Sequence, residues 1–186
     1  SLVTSLDLLL CPSPSVESTV LSFAKSKKKK LNTKVLPLGI DLSRFKSVSK
    51  LLQKKLKSQY EIPSNSKILL HLGRINPTTK MDIIPLIRAL EFLLPKHPDL
   101  ILVIAGEIHH SLYAKQIEHF AKSRGLDRHI RWIFNPSPDS IPEIYNLGDI
   151  FISLSDGLGE TFGLTLAEAM ASGLPLVVSD WDGYKS

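Results

Sequence analysis

From Lys67 onward, short and almost uninterrupted apolar runs alternate with longer stretches of helical periodicity, and this alternation constrains the fold more than any other feature. The runs at 68–72, 100–105, 130–134, 150–154 and 175–179 are near-continuously apolar. That pattern predicts strands of a parallel sheet covered on both faces. A helix is expected from near Asp82, with Ile83, Ile87, Leu90 and Leu94 on one stripe, Asp82 as its cap and Pro85 in its first turn. A second, over about 111–124, turns Ile117, Phe120 and Ala121 inward and stops at Gly125. A shorter one after Asp139 carries Ile141, Ile144 and Tyr145, and the last runs from near Gly163 to Gly173. Five such alternations predict an α/β doubly wound parallel sheet of Rossmann-like type with right-handed crossovers. Ligands of such sheets bind beyond the carboxyl ends of the strands, so the loops there are where chemistry belongs.

Composition narrows the classes further. With 186 residues the chain has room for one sizeable domain and not for two full ones. No apolar run approaches the roughly 20 residues that cross a bilayer. The single cysteine, Cys11, excludes an intrachain disulfide framework and a cysteine zinc site. A net charge of +5 suggests an anionic partner without naming it. Much of that charge lies in Lys25 to Lys30, with Lys50, Lys54, Lys55 and Lys57 soon after. No aromatic residues interleave with them to stack bases, so an extended, solvated linker is the expectation and nucleic-acid binding is not. The apolar stretch 2–10 is interrupted by Asp7 and reads as a strand that begins before this chain does.

Two loops offer chemistry. The first, His71-Leu72-Gly73-Arg74-Ile75-Asn76-Pro77-Thr78-Thr79-Lys80-Met81-Asp82, matches neither a dinucleotide nor a Walker fingerprint. It does bring Gly73, which admits a ligand close to the backbone, together with two cations six residues apart. Arg74 offers a planar fork for a phosphate and Lys80 a mobile point charge. On spacing alone, a surface ion pair for Arg74 and a solvated Lys80 are the favoured account.

The second loop follows the run at 150–154 and reads Glu160-Thr161-Phe162-Gly163-Leu164-Thr165-Leu166-Ala167-Glu168. Its two glutamates are separated by seven residues, and the amides of Phe162, Gly163 and Leu164 fall at a helix start, a natural anion site. A capped amphipathic helix with Leu166 and Met170 in the core is the plainer account. His109 and His110 are adjacent, lack a third ligand nearby and are expected to be loop residues, not metal ligands.

These segments, in this order, resemble the retaining glycosyltransferases of the GT-B fold, the large family often numbered four. The resemblance is carried by Val35-Leu36-Pro37-Leu38-Gly39-Ile40-Asp41 with Phe45, by Gly73-Arg74 with Lys80, by Val103-Ile104-Ala105-Gly106, and by Glu160 through Glu168 followed by Gly173-Leu174-Pro175. The family often has Asn where Leu38 stands and Gly where Thr161 stands.

The resemblance implies the carboxyl-terminal, donor-binding half of a GT-B enzyme. Residues 37–186 would be the nucleotide-sugar-binding domain, and 1–36 the end of an acceptor-binding amino-terminal domain with its connecting segment. It further implies Arg74, Lys80 and Glu160 as catalytic residues and Gly73, Phe162, Gly163, Leu164 and Glu168 as donor-binding ones. Glu168 would take the ribose hydroxyls and Glu160 would face the donor sugar. A UDP or GDP sugar is the substrate implied. No metal or other cofactor is expected, because the two cations would neutralise the departing diphosphate. Partners would be the donor, an acceptor of unknown class and the missing amino-terminal domain. The location implied is cytoplasmic, with peripheral membrane contact left open. A non-catalytic sugar-nucleotide-binding module is the alternative.

Overall fold

The structure is a computed structural model that describes residues 7–157, 160–181 and 184. Five strands form one parallel sheet: β3 (Lys67–Leu72), β4 (Leu100–Gly106), β5 (Ile130–Phe134), β6 (Ile150–Ser153) and β7 (Leu176–Val178). Ahead of them, β1 (Leu8–Cys11), α1 (Pro14–Ser26) and β2 (Asn32–Val35) make a separate β-α-β unit whose two strands pair in parallel. The helices of the larger unit are α2 (Lys50–Gln59), α3 (Ile84–Leu93), α4 (Ser111–Ser123), α5 (Ile141–Leu147) and α6 (Leu164–Ala171). Among the described residues, no helix is long and apolar enough to cross a membrane.

The large sheet runs β5-β4-β3-β6-β7. The chain moves outward from β3 through β4 to β5, then returns to the other edge of β3 and moves outward again. Direction therefore reverses between β3 and β6, the switch point at which doubly wound sheets open a crevice. Both faces are buried, as the continuous apolar runs require. Leu70, Leu72 and Val103 pack with α2, α5 and α6 through Leu56, Tyr145 and Leu166. Their strand neighbours Leu102 and Ile104 pack with α3 and α4 through Ile87, Leu90 and Ile117. Period-two alternation divides β3, β4, β5 and β6 between the two layers, while β7 turns Leu176 and Val178 to the first and leaves Val177 half exposed.

The five strands expected from residue 67 onward match within a residue or two at each end. Of the stretch 2–10 only Leu8 to Leu10 fall in a strand, β1, and residues 2–6 lie outside the described residues. Asp82 contributes as expected, accepting from the amide of Ile84 at 3.0 Å, although the helix begins one residue later than a standard cap at Asp82 would put it. Met170 is more than half exposed, and Ala169 takes the core place beside Leu166.

The lysine run corrects its expectation. Lys25 lies in the last turn of α1, Lys27 caps it, and Lys28 turns into the left-handed region with a φ of 53°. The amide of Lys29 then closes on the Ala24 carbonyl at 2.9 Å, so the run is a helix end leading into β2 and not an extended linker. Cations suit that end of a helix dipole. Lys57 departs further, because α2 buries it. Its ammonium donates to the Ser66 carbonyl at 2.9 Å and lies 3.4 Å from Asp149 Oδ2. The same carboxylate oxygen accepts from the Ile68 amide at 2.8 Å, pinning the start of β3.

Gly106 ends β4 with a φ of 149°, and a Cβ there would stand 1.7 Å from the Gly73 carbonyl oxygen. The loops after β3 and β4 meet backbone to backbone at this point, which only glycine permits. Gly106→Ala is accordingly expected to destabilise the protein by about 3 kcal/mol or more, combining overpacking with an unfavourable φ. Urea unfolding of the two proteins measures this, and a loss below about 1 kcal/mol would contradict the steric account.

Candidate functional site

The residues at the carboxyl ends of β3, β4, β5 and β6 line one cleft of about 730 Å³. Gly73, Arg74 and Lys80 enter it from the loop after β3, and Glu160 from the loop after β6. Four of the sequence-predicted site residues thus meet across the switch point.

The first loop is built by Asn76. Its side-chain oxygen accepts from the Thr78 amide at 2.9 Å, the Thr78 hydroxyl at 2.8 Å and the Thr79 amide at 3.2 Å. Such an Asx turn folds the segment between the two cations, so both address the cleft. The Lys80 carbonyl then accepts from the Gly157 amide and the Ser155 hydroxyl, each at 3.1 Å, which ties this loop to the other.

Lys80 Nζ lies 2.7 Å from Glu160 Oε2, with both side chains largely buried. Arg74 is exposed and its side chain, among the described residues, has no hydrogen-bond or ion-pair partner. The plainer expectation is reversed on both counts: the arginine is the uncommitted cation and the lysine the paired one. A buried pair of this kind sets where its charges stand more than it adds stability.

Tyr184 completes this corner, a contribution that sequence patterning did not single out. Its hydroxyl is 2.9 Å from Ser153 Oγ and 3.3 Å from Glu160 Oε2. Burial pushes the phenol up to about 12, with the Glu160 carboxylate adding to the effect. A Cβ on Gly163 would touch the Tyr184 ring at 2.9 Å, and Gly163 itself has a φ of 82° at the start of α6. Trp181 Nε1 donates to the Gly157 carbonyl at 3.2 Å, while Asp182 lies outside the described residues. Ser13 donates to the Thr161 carbonyl at 2.6 Å, so the first β-α-β unit also holds the loop that carries Glu160.

The remaining predicted residues stand apart from the cleft wall. Thr165, not Phe162, Gly163 or Leu164, is the α6 residue that lines it. Glu168, one turn further on, accepts from the Tyr145 hydroxyl at 2.8 Å. Tyr145 is fully buried against Phe45, edge to face at 5.8 Å between centroids. Asp41 supports that placement, accepting from the Ser43 amide at 2.9 Å to form the turn that brings in Arg44 and Phe45. Burial raises the carboxyl of Glu168 above its usual range, against lowering by the Tyr145 hydroxyl and the Arg44 charge.

His71 is a further residue that sequence reasoning passed over. It lines the cleft floor while only 3% exposed. His110 caps α4, its Nδ1 accepting from the Tyr113 amide at 3.2 Å, and His109 lies 3.0 Å from Glu107. Among the described residues, no three His, Cys, Asp or Glu side chains group to hold a metal.

Comparison with known proteins agrees with this geometry. The sequence model of the family described as glycosyl transferases group 1 matches residues 52–186. The chain is 28% identical over 180 residues to mannosylfructose-phosphate synthase of Agrobacterium fabrum, covering 94% of this chain and 38% of that protein. It spans less than two-fifths of the length of the curated relatives it matches first. Its fold is that of Anabaena HepE in complex with UDP-glucose, with a TM-score of 0.78 at 22% identity over 96% of this chain and 46% of that one. It is similar also to the carboxyl-terminal domain of the Francisella tularensis group 1 protein LpcC, at 29% identity and a TM-score of 0.62 over 75% of this chain and 70% of that one.

The raised carboxyl of Glu168 has a consequence for stability. The folded protein holds that proton more tightly than the unfolded chain does. The contribution of Glu168 is therefore fully present below its ordinary value of 4.5 and declines as pH rises through the folded value. Glu168→Gln removes the charge while keeping a partner for Tyr145. Because the group is half exposed, the effect is a fraction of a kcal/mol. Expected is a Tm about 1–2 °C above wild type at pH 7 and no gain at pH 4, read by thermal unfolding.

Proposed function

The chain belongs to the glycosyl transferases group 1 family, and from that premise we propose that it binds a nucleotide-diphosphate sugar and, within a longer enzyme, transfers the sugar to an acceptor with retention of configuration. Residues 37–186 form the donor-binding domain in this reading, and 1–36 the end of an acceptor-binding domain with its connection. The observation that carries it is the cleft at the switch point, where two cations from one loop face a carboxylate from the other. Its volume suits a ligand of this size.

Arg74 and Lys80 hold the diphosphate. As the bond to the sugar breaks, the departing phosphate gains charge, so fixed cations stabilise the transition state more than the ground state. A cation about 4 Å from one such charge is worth on the order of 4 kcal/mol at an effective dielectric of 20. The pair therefore takes the place of a divalent metal, and no metal or other cofactor is invoked. The ion pair with Glu160 keeps Lys80 extended over the cleft before the ligand arrives. Glu160 faces the donor sugar, and Glu168, oriented by Tyr145, accepts from the ribose hydroxyls. Gly73 lets the diphosphate approach the backbone. The start of α6 supplies amides, with Phe162, Gly163 and Leu164 as the residues assigned.

We expect one of UDP, GDP and ADP to raise the Tm in proportion to RT ln(1 + [L]/Kd), with no dependence on added chelator. Arg74→Ala should weaken that ligand about tenfold or more, as expected for losing a charge-assisted fork. Glu168→Ala should weaken it to a similar degree, while a nucleoside monophosphate binds less tightly than the diphosphate. Failure of all three diphosphates, or binding indifferent to Arg74, removes this reading. The 186 residues alone are expected to transfer no sugar, since closure over an acceptor domain completes such sites.

A further inference from the structure

His71 stands on β3 two residues before Gly73. The strand's alternation turns it to the face covered by α3 and α4, away from Leu70 and Leu72 on the opposite face. Its Nδ1 lies 3.1 Å from the Ile152 carbonyl oxygen. A carbonyl only accepts, so Nδ1 carries the proton and Nε2 of the neutral ring is an acceptor. Burial, with the Lys80 ammonium adding to it, pushes the imidazole down to about 4, so the ring is neutral at pH 7. Among the described residues, Nε2 is buried and has no hydrogen-bond partner. It lies directly beneath the loop that carries Arg74, since a Cβ on Gly73 would come within 3.5 Å of it.

A buried acceptor left without a donor weakens the fold, and an apolar side chain in this otherwise apolar layer would avoid that cost. The residue also lines the cleft, so a ligand seated there can supply the missing hydrogen. Phosphate oxygens bring none at neutral pH, and their lone pairs would oppose that of Nε2. A sugar hydroxyl brings one.

We infer that His71 is a specificity-determining residue of the donor site, its Nε2 accepting a hydrogen bond from a hydroxyl of the sugar to be transferred. The inference rests on the donor-binding reading above. It assigns the sugar, not the nucleotide, because Glu168 is anchored by Tyr145 on the other face of the sheet and Arg74 with Lys80 accounts for the diphosphate. His71 thus marks the end of the cleft where the donor sugar lies and selects for a hydroxyl that points to the floor.

The test compares wild type with His71→Phe and His71→Gln by calorimetric titration of the 186-residue chain. The probes are UDP and UDP-glucose, with GDP and GDP-mannose and ADP and ADP-glucose alongside. His71→Phe is expected to weaken the nucleotide sugar about 5- to 10-fold, the loss of one neutral hydrogen bond, and to leave the matching diphosphate within about twofold. His71→Gln, which returns an acceptor, recovers part of the loss. Equal effects on sugar nucleotide and diphosphate, or none on either, overturn the inference while leaving the donor-binding reading standing. Absence of any diphosphate binding by wild type overturns both. Nitrogen-15 resonances of the wild-type imidazole give a readout that needs no variant: the Nε2 signal moves on adding the sugar nucleotide and not the diphosphate. An Nε2 signal that moves equally with both ligands, or with neither, also sinks the proposal.

Discussion

The reversal of strand order beside β3 is the constraint on which the rest of the molecule depends. β3 is paired on both edges and buried on both faces, so the chain leaving it has to climb over the end of β4 before α3 can cover one layer. The chain leaving β6, its neighbour, goes to α6 and the other layer. Two adjacent loops diverge, and the gap between them is the cleft. The backbone contact between Gly106 and Gly73 sets how low the first loop lies, and hence how close its cations come to the floor.

Electrostatics follow from that divergence. The loop after β3 contributes the cations and the loop after β6 the carboxylate, and they are brought together only because their strands are neighbours. Lys80 is fixed twice: its carbonyl is held by Ser155 and Gly157, and its ammonium by Glu160. Glu168 is fixed through a longer chain, from the Asp41 turn to Phe45, to Tyr145 and then to its own carboxylate. In both cases a charged side chain is oriented by neighbours from distant parts of the chain, the kind of fixed geometry a preorganised site requires.

What was legible in the sequence had a local physical cause. The buried strands showed as continuous apolar runs because both faces are covered, and Gly125, Gly163 and Gly173 punctuate the helices because each adopts a positive φ. α2 was not legible as a helix, since its lysines masked a stripe of only a few apolar residues, and nothing local marked Lys57 as buried. Phe162 and Leu164 belong to the right segment yet do not line the cleft, because one turn of helix decides which side chain points inward and the exact start of α6 is set by Gly163. His71 and Tyr184 were illegible for a different reason: one lies within an apolar strand, the other near the end of the chain, and neither has a partner close in sequence.

The sequence by itself determined the layered α/β architecture, the two loops that carry charge, and a family resemblance that holds. Periodicity, glycine positions and residue order are properties of the chain taken alone. Only the tertiary structure decided which charges are committed and which are open. It paired Lys80 with Glu160 across 80 positions, left the side chain of Arg74 without a described partner, and buried the imidazole of His71 with one nitrogen satisfied and the other not. Those outcomes depend on the order in which strands lie side by side, and strand order acts on distances between residues far apart in the chain, where sequence patterning carries no signal.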